Sequence, residues 1–132
     1  MCVTVFDWIA SHANHSPEEI ALLDLFSQRK YTYTELNERV GRLSGCFRND
    51  LGVARGDRVA VLSANSTDIM EIQFACFRIG AIFMPLNWRL APTELEFIVG
   101  DSNPTVLICD EENFEVGTGL QSSEGISHLI DL

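Results

Sequence analysis

An apolar strand that ends in a proline, an amide and an arginine constrains this chain more than any other feature. It is the run Gly80-Ala81-Ile82-Phe83-Met84-Pro85-Leu86-Asn87-Trp88-Arg89-Leu90, which follows an apolar helix-like stretch and precedes Pro92-Thr93-Glu94-Leu95. A strand that is apolar at successive positions needs cover on both faces, and parallel α/β sheets provide it. In such sheets ligands bind in the crevice beyond the carboxyl ends of the strands. Asn87, Trp88 and Arg89 stand at that rim. The arginine's fork suits bidentate contact with phosphate; the plainer alternative is a surface ion pair with Glu94 or Glu96.

The patterning on either side extends this unit. Residues 3–14 carry Val5, Phe6, Ile9, Ala10 and Ala13 at helical spacing, stopping before Ser16-Pro17. Residues 20–26 and 31–33 read as short strands around the polar turn 27–30. Thr32-Tyr33-Thr34-Glu35 has the form of a capping box, in which Thr32 accepts from the N–H three residues on and Glu35 reaches back. The helix it opens has one apolar stripe, Leu36, Val40, Leu43, Phe47 and Leu51, and Gly52 suits its end. Strands follow at 58–63, 81–86 and 106–109, with helices at 68–79 (Ser66 as N-cap) and from Pro92 to about 99. The order β-α-β-α-β predicts a parallel sheet with right-handed crossovers. The Gly/Ser-rich stretch 111–125 reads as a flexible loop, and 126–132 as a strand cut through. The expected organisation is thus one incomplete domain: an N-terminal helix, hairpin and capped helix in 1–55, the β-α-β-α-β unit in 56–110, then the loop and the final strand.

With 132 residues and 46% hydrophobic content, the chain is long enough for one cored domain. Its net charge of −10, without a Lys/Arg cluster, argues against nucleic-acid backbones and acidic membrane surfaces as partners. Cys2, Cys46, Cys76 and Cys109 have no metal-site or redox spacing. They read as reduced thiols, the last three in apolar runs, in a cytoplasmic protein. No apolar run is long enough to span a bilayer.

The remaining candidates read as ordinary surface. His12 and His15 share a helix face but lack a third ligand, so no metal site is expected. Asp110-Glu111-Glu112 reads as a solvated acidic loop. Gly117-Thr118-Gly119-Leu120-Gln121-Ser122-Ser123-Glu124-Gly125 looks like a phosphate loop but has no lysine. No Gly-x-Ser-x-Gly elbow or serine triad is present. Catalytic residues: none.

Several motifs together carry a family signature. Tyr31-Thr32-Tyr33-Thr34-Glu35-Leu36, Gly56-Asp57-Arg58-Val59-Ala60, Asn65, the run 80–90, Glu94-Leu95 and Asp101-Ser102 occur in the order and spacing of the adenylate-forming enzymes. From about the first helix to Asp110 the chain resembles the start of an AMP-forming acyl-CoA synthetase. Asn87 followed by Trp88-Arg89-Leu90 is more similar to fatty-acid and aryl-acid CoA ligases than to peptide-synthetase adenylation domains, which usually carry aspartate after Pro-Leu. The resemblance implies ATP, Mg²⁺ and coenzyme A as cofactors and a small carboxylic acid as substrate. It also implies that Asn87, Trp88 and Arg89 lie where the coenzyme A nucleotide docks, with the arginine meeting a phosphate.

The family's Ser/Thr/Gly-rich phosphate loop ending in Pro-Lys, its aromatic-Thr-Glu motif, its ribose-binding aspartate and its C-terminal domain with the catalytic lysine have no counterpart here. The expectation is an N-terminal segment of an ATP-dependent acid–CoA ligase, inactive alone and binding none of these molecules tightly. The alternative is a non-catalytic binding or scaffold module derived from the same fold. The isolated segment is expected to be marginal in stability, or to self-associate through a cut sheet edge.

Overall fold

In the computed structural model, which describes residues 6–132, the chain forms a small antiparallel hairpin and a four-stranded parallel sheet between two helical layers. Helix α1 (Trp8–His15) starts at Asp7, whose carboxylate accepts from the Ala10 N–H at 3.0 Å. Val3 and Val5, counted in the stripe of this helix, and Cys2 lie outside the described residues. Strands β1 (Ile20–Leu23) and β2 (Lys30–Thr32) pair antiparallel. The turn between them is longer than 27–30, because Asp24 folds it. The Asp24 carboxylate accepts from the N–H groups of Phe26 and Ser27 and from the Ser27 hydroxyl.

Helix α2 (Tyr33–Asn49) opens with the expected capping box. The Thr32 hydroxyl oxygen accepts from the Glu35 N–H at 3.2 Å, and the Glu35 carboxylate accepts from the Thr32 N–H at 2.8 Å. Strand β3 (Arg58–Leu62) then leads into α3 (Thr67–Ile79) and β4 (Ile82–Pro85), α4 (Pro92–Ser102) and β5 (Val106–Cys109). The sheet order is β4-β3-β5, continued by the last strand, β6 (His128–Asp131), and every pairing in it is parallel.

Alternation along the two inner strands sorts the core. Val59, Val61, Val106 and Ile108 face α1, α2 and α3, whereas Ala60, Leu62, Leu107 and Cys109 face the opposite layer. All eight are essentially buried, which is why β3 and β5 read as unbroken apolar runs. The chain steps from β3 to β4 in one direction and from β4 to β5 and β6 in the other. Right-handed crossovers then place α3 on one face and the later helices on the other.

One expectation is corrected. Residues 111–125 are not a loop: a short 3-10 turn (Glu111–Asn113) runs into α5 (Phe114–Glu124). Leu120 is buried against the sheet with Phe114 and Val116 packed beside it, so the stretch has an apolar face. Its hydroxyls stay inside the helix, with Thr118 donating to the Phe114 carbonyl and Ser122 to that of Thr118. Gly117 is there for close approach. A Cβ at this position would collide with Cys109 Sγ and lie 3.2 Å from Leu129 Cδ1. Strand β4 is the edge of the sheet, with Ile82 exposed. Pro85, lacking an N–H, suits an edge.

Candidate functional site

Strand β3 hands its chain to one face while both of its neighbours hand theirs to the other, so the carboxyl end of β3 lies at a switch point where α/β sheets bind ligands. Two rims flank it, one after β5 and one after β4, and they differ in what their polar groups do.

The rim after β5 is closed on itself. The Asp110 carboxylate accepts from the Ala64 N–H of the β3–α3 connection at 2.8 Å, from the Asn113 N–H at 3.0 Å and from the Asn113 side-chain amide at 2.6 Å. Partial burial pushes the Asp110 carboxyl up. The hydrogen bonds from Ala64 and Asn113 outweigh that and hold it below the ordinary 3.8. Asp110 is therefore a clamp across the switch point and not part of a solvated acidic loop. The spacing Asp110-x-x-Asn113 is a local capping signal, but the bond to Ala64, 46 residues away, leaves no trace in the sequence.

The rim after β4 is open. The ladder continues one bond past Pro85, with the Leu86 N–H donating to the Val61 carbonyl at 2.8 Å. The chain then turns: the Asn87 side-chain oxygen accepts from the Arg89 N–H at 3.1 Å, and the Asn87 carbonyl from the Leu90 N–H at 3.1 Å. This Asx-type turn fixes Asn87, whose amide N–H₂ makes no hydrogen bond among the described residues. Trp88 is 40% exposed, and the Arg89 guanidinium carbon lies 4.2 Å from the centroid of its ring. The three expected site residues are thus gathered in one turn between β4 and α4.

Arg89 has no carboxylate partner among the described residues. The ion pairs there are Arg29–Asp68, Arg39–Glu71 and Arg78–Asp7. Glu94 is occupied elsewhere, accepting from the Ala91 N–H at 2.8 Å at the start of α4. A guanidinium held by an indole face but not neutralised can take an anion without first breaking a salt bridge.

The other candidates resolve into structure. His12 stacks on Tyr33 at 4.7 Å and His15 Nδ1 is 2.8 Å from the Ser11 carbonyl, so neither is presented as part of a ligand pair. Among the described residues no three His, Cys, Asp or Glu side chains cluster as a metal site. Cys46, Cys76 and Cys109 are free; Cys46 is half-buried, and burial pushes the Cys76 and Cys109 thiols up to about 12. No described helix is long and apolar enough to cross a membrane.

Comparison with known proteins agrees with this architecture. A family described as AMP-binding enzyme matches residues 9–131. The chain is 40% identical over 113 residues to a feruloyl-CoA synthase of Amycolatopsis, covering 86% of this chain and 22% of that protein. It is 39% identical over 104 residues to an indoleacetate–CoA ligase of Aromatoleum aromaticum, covering 79% and 20% respectively. The inhibitor-bound N-terminal domain of FACL13 from Mycobacterium tuberculosis superposes with a TM-score of 0.89 at 28% identity, over 96% of this chain and 33% of that one. The chain spans about a fifth of the length of the curated relatives it matches.

Proposed function

Because the chain belongs to the AMP-binding enzyme family, whose match runs over residues 9–131, we propose that it forms the N-terminal segment of an AMP-forming carboxylic acid–CoA ligase. The names of its relatives support this reading, since they are ligases and synthases that join acids to coenzyme A. In the reaction an acid oxygen attacks the α-phosphorus of ATP and the bond to pyrophosphate breaks. The coenzyme A sulfur then attacks the acyl carbon, AMP departs with the electron pair of the acyl–oxygen bond, and the thiol proton is released.

This chain's own part is binding at the β4 rim. The observation that carries the assignment is Arg89, an unneutralised guanidinium seated on Trp88 at the carboxyl end of a strand. A coenzyme A phosphate fits this donor set. The Arg89 fork would take the oxygens, the free Asn87 amide would add a donor, and the indole would shield the contact from water. No cluster of three or more His, Cys, Asp or Glu side chains among the described residues offers a site for Mg²⁺. The acid would be chosen by residues outside this chain.

The test is AMP release by a longer form of the protein, assayed with ATP, coenzyme A and a panel of aryl, aliphatic and branched acids. Acid-dependent AMP that also requires coenzyme A is the expected result. No AMP with any acid of the panel would sink the proposal. A cytoplasmic location follows if the reading holds, because ATP and coenzyme A are drawn from that pool.

A further inference from the structure

Of the arginines that pair with carboxylates, one is left half used. Arg29 meets Asp68 with both terminal nitrogens, at 3.1 and 2.6 Å, each on its own oxygen. Arg78 spends all three nitrogens, on Asp7 and on the carbonyl and side-chain oxygens of Asn37. Arg39 meets Glu71 through Nε alone, at 2.6 Å on one oxygen. Its two terminal nitrogens and the second Glu71 oxygen, Oε2, make no hydrogen bond among the described residues. Arginine–carboxylate pairs are commonly bidentate. A carboxylate as enclosed as Glu71, whose side chain is 7% exposed, ordinarily has its oxygens bonded.

These unused groups belong to one cavity. It has a volume of about 310 Å³, lies between α2 and α3, and is walled by Arg39, Arg42, Leu43, Cys46 and Glu71. Arg42 stands three residues on from Arg39, on the same face of α2, and forms no ion pair among the described residues. Arg39 is held in place from the other side, its guanidinium carbon 4.7 Å from the centroid of the Tyr31 ring. Burial and the neighbouring Asp50 push the Cys46 thiol up, so it stands beside Leu43 as a neutral wall. Glu35 and Glu38 line the adjoining cavity rather than this one.

Charge and hydrogen bonding narrow the occupant. The walls carry two guanidiniums against one carboxylate, a local excess of positive charge in an acidic chain. A bare anion would satisfy the arginines but set an acceptor against Glu71 Oε2, and a simple cation would do the reverse. An anion with a hydroxyl beside it satisfies both and leaves the site neutral. We propose that this cavity binds a small hydroxycarboxylate, its carboxylate on Arg39 and Arg42 and its hydroxyl donating to Glu71 Oε2. The site shares no residue with the β4 rim and stands independently of the ligase reading.

The test is a titration of the isotope-labelled chain with lactate, followed by nuclear magnetic resonance. Backbone amide signals of 39–46 and 70–73 should shift along a saturable curve while those of 85–90 stay in place. Propionate, the same acid without the hydroxyl, should bind roughly tenfold more weakly or worse. Arg42→Ala breaks no ion pair of the described structure, so it should keep the melting temperature while weakening lactate roughly tenfold. Arg42→Lys should recover only part of that loss. If the short chain self-associates, the longer form gives the same comparison through a lactate-dependent rise in melting temperature that Arg42→Ala removes. Equal affinity for lactate and propionate, or lactate binding that Arg42→Ala leaves intact, overturns the proposal. So does the absence of saturable lactate binding in both forms. Alanine binding more tightly than lactate overturns it as well, because the group donating to Glu71 is then an ammonium.

Discussion

The two rims at the carboxyl end of this sheet begin from the same kind of sequence, an apolar strand running into polar residues, and finish in opposite states. After β5, the carboxylate of Asp110 uses its oxygens on Ala64 and Asn113 and joins the β3–α3 connection to the start of the next helix. After β4, Asn87 satisfies only the backbone of its own turn, and Arg89 rests on Trp88 with its charge unpaired among the described residues. A polar group at a switch point is scaffolding when its bonds end inside the protein, and is left available to a ligand when they do not. Proximity to the crevice does not distinguish the two; the destination of the hydrogen bonds does.

Substitutions should separate the rims by what they disturb. Asp110→Ala should have the largest effect, about 2 kcal/mol of stability measured by denaturant melts, because it removes charge-assisted bonds that join the β3–α3 connection to the start of the next helix. Gly117→Ala, in the helix that the closed rim launches, should cost about 1–2 kcal/mol. The added methyl collides with Cys109 and Leu129, and the gain in helix propensity offsets only part of this. Gly119→Ala, with nothing within 4 Å of its would-be Cβ, should instead stabilise by about 0.5–1 kcal/mol. Were 111–125 a loop, the two glycines would respond alike.

A smaller effect concerns pH. The Asp110 carboxyl is held below 3.8 in the folded chain, so its contribution is complete above that value and fades as pH falls through the folded one. Asp110→Asn should therefore give a shallower loss of stability as pH falls below about 4, followed by thermal melting. An unchanged acid limb would mean that the clamp is not formed in solution. Smallest of all, Arg89→Ala should alter the melting of this chain by less than about 0.5 kcal/mol, since the side chain bridges no elements.

Much of this was legible before the structure. The capping box at Thr32 and Glu35, the buried strands β3 and β5 and the parallel order are local or periodic signals, and local signals survive translation into a fold. The turn that gathers Asn87, Trp88 and Arg89 was legible for the same reason. Three things were not. The helical state of 114–124 was hidden because glycine and serine lower helix propensity, and the packing need that selects Gly117 arises only once Cys109 and Leu129 are in place. The edge position of β4 was hidden because an apolar run does not say how many strands flank it. The bonds of Asp110 to Ala64, Arg29 to Asp68 and Arg78 to Asp7 join residues 39 to 71 positions apart, and no spacing rule reaches that far.

The central claim is that the open rim meets coenzyme A while the closed one only holds the sheet together. The most direct test splits the reaction of the longer enzyme carrying Arg89→Ala. Pyrophosphate exchange, which reports adenylation before coenzyme A is needed, should stay within about twofold of the parent, while the KM for coenzyme A rises roughly tenfold, and Arg89→Lys should recover only part of the loss. Equal losses in both half-reactions would make Arg89 structural, and an unchanged KM for coenzyme A would remove it from the site.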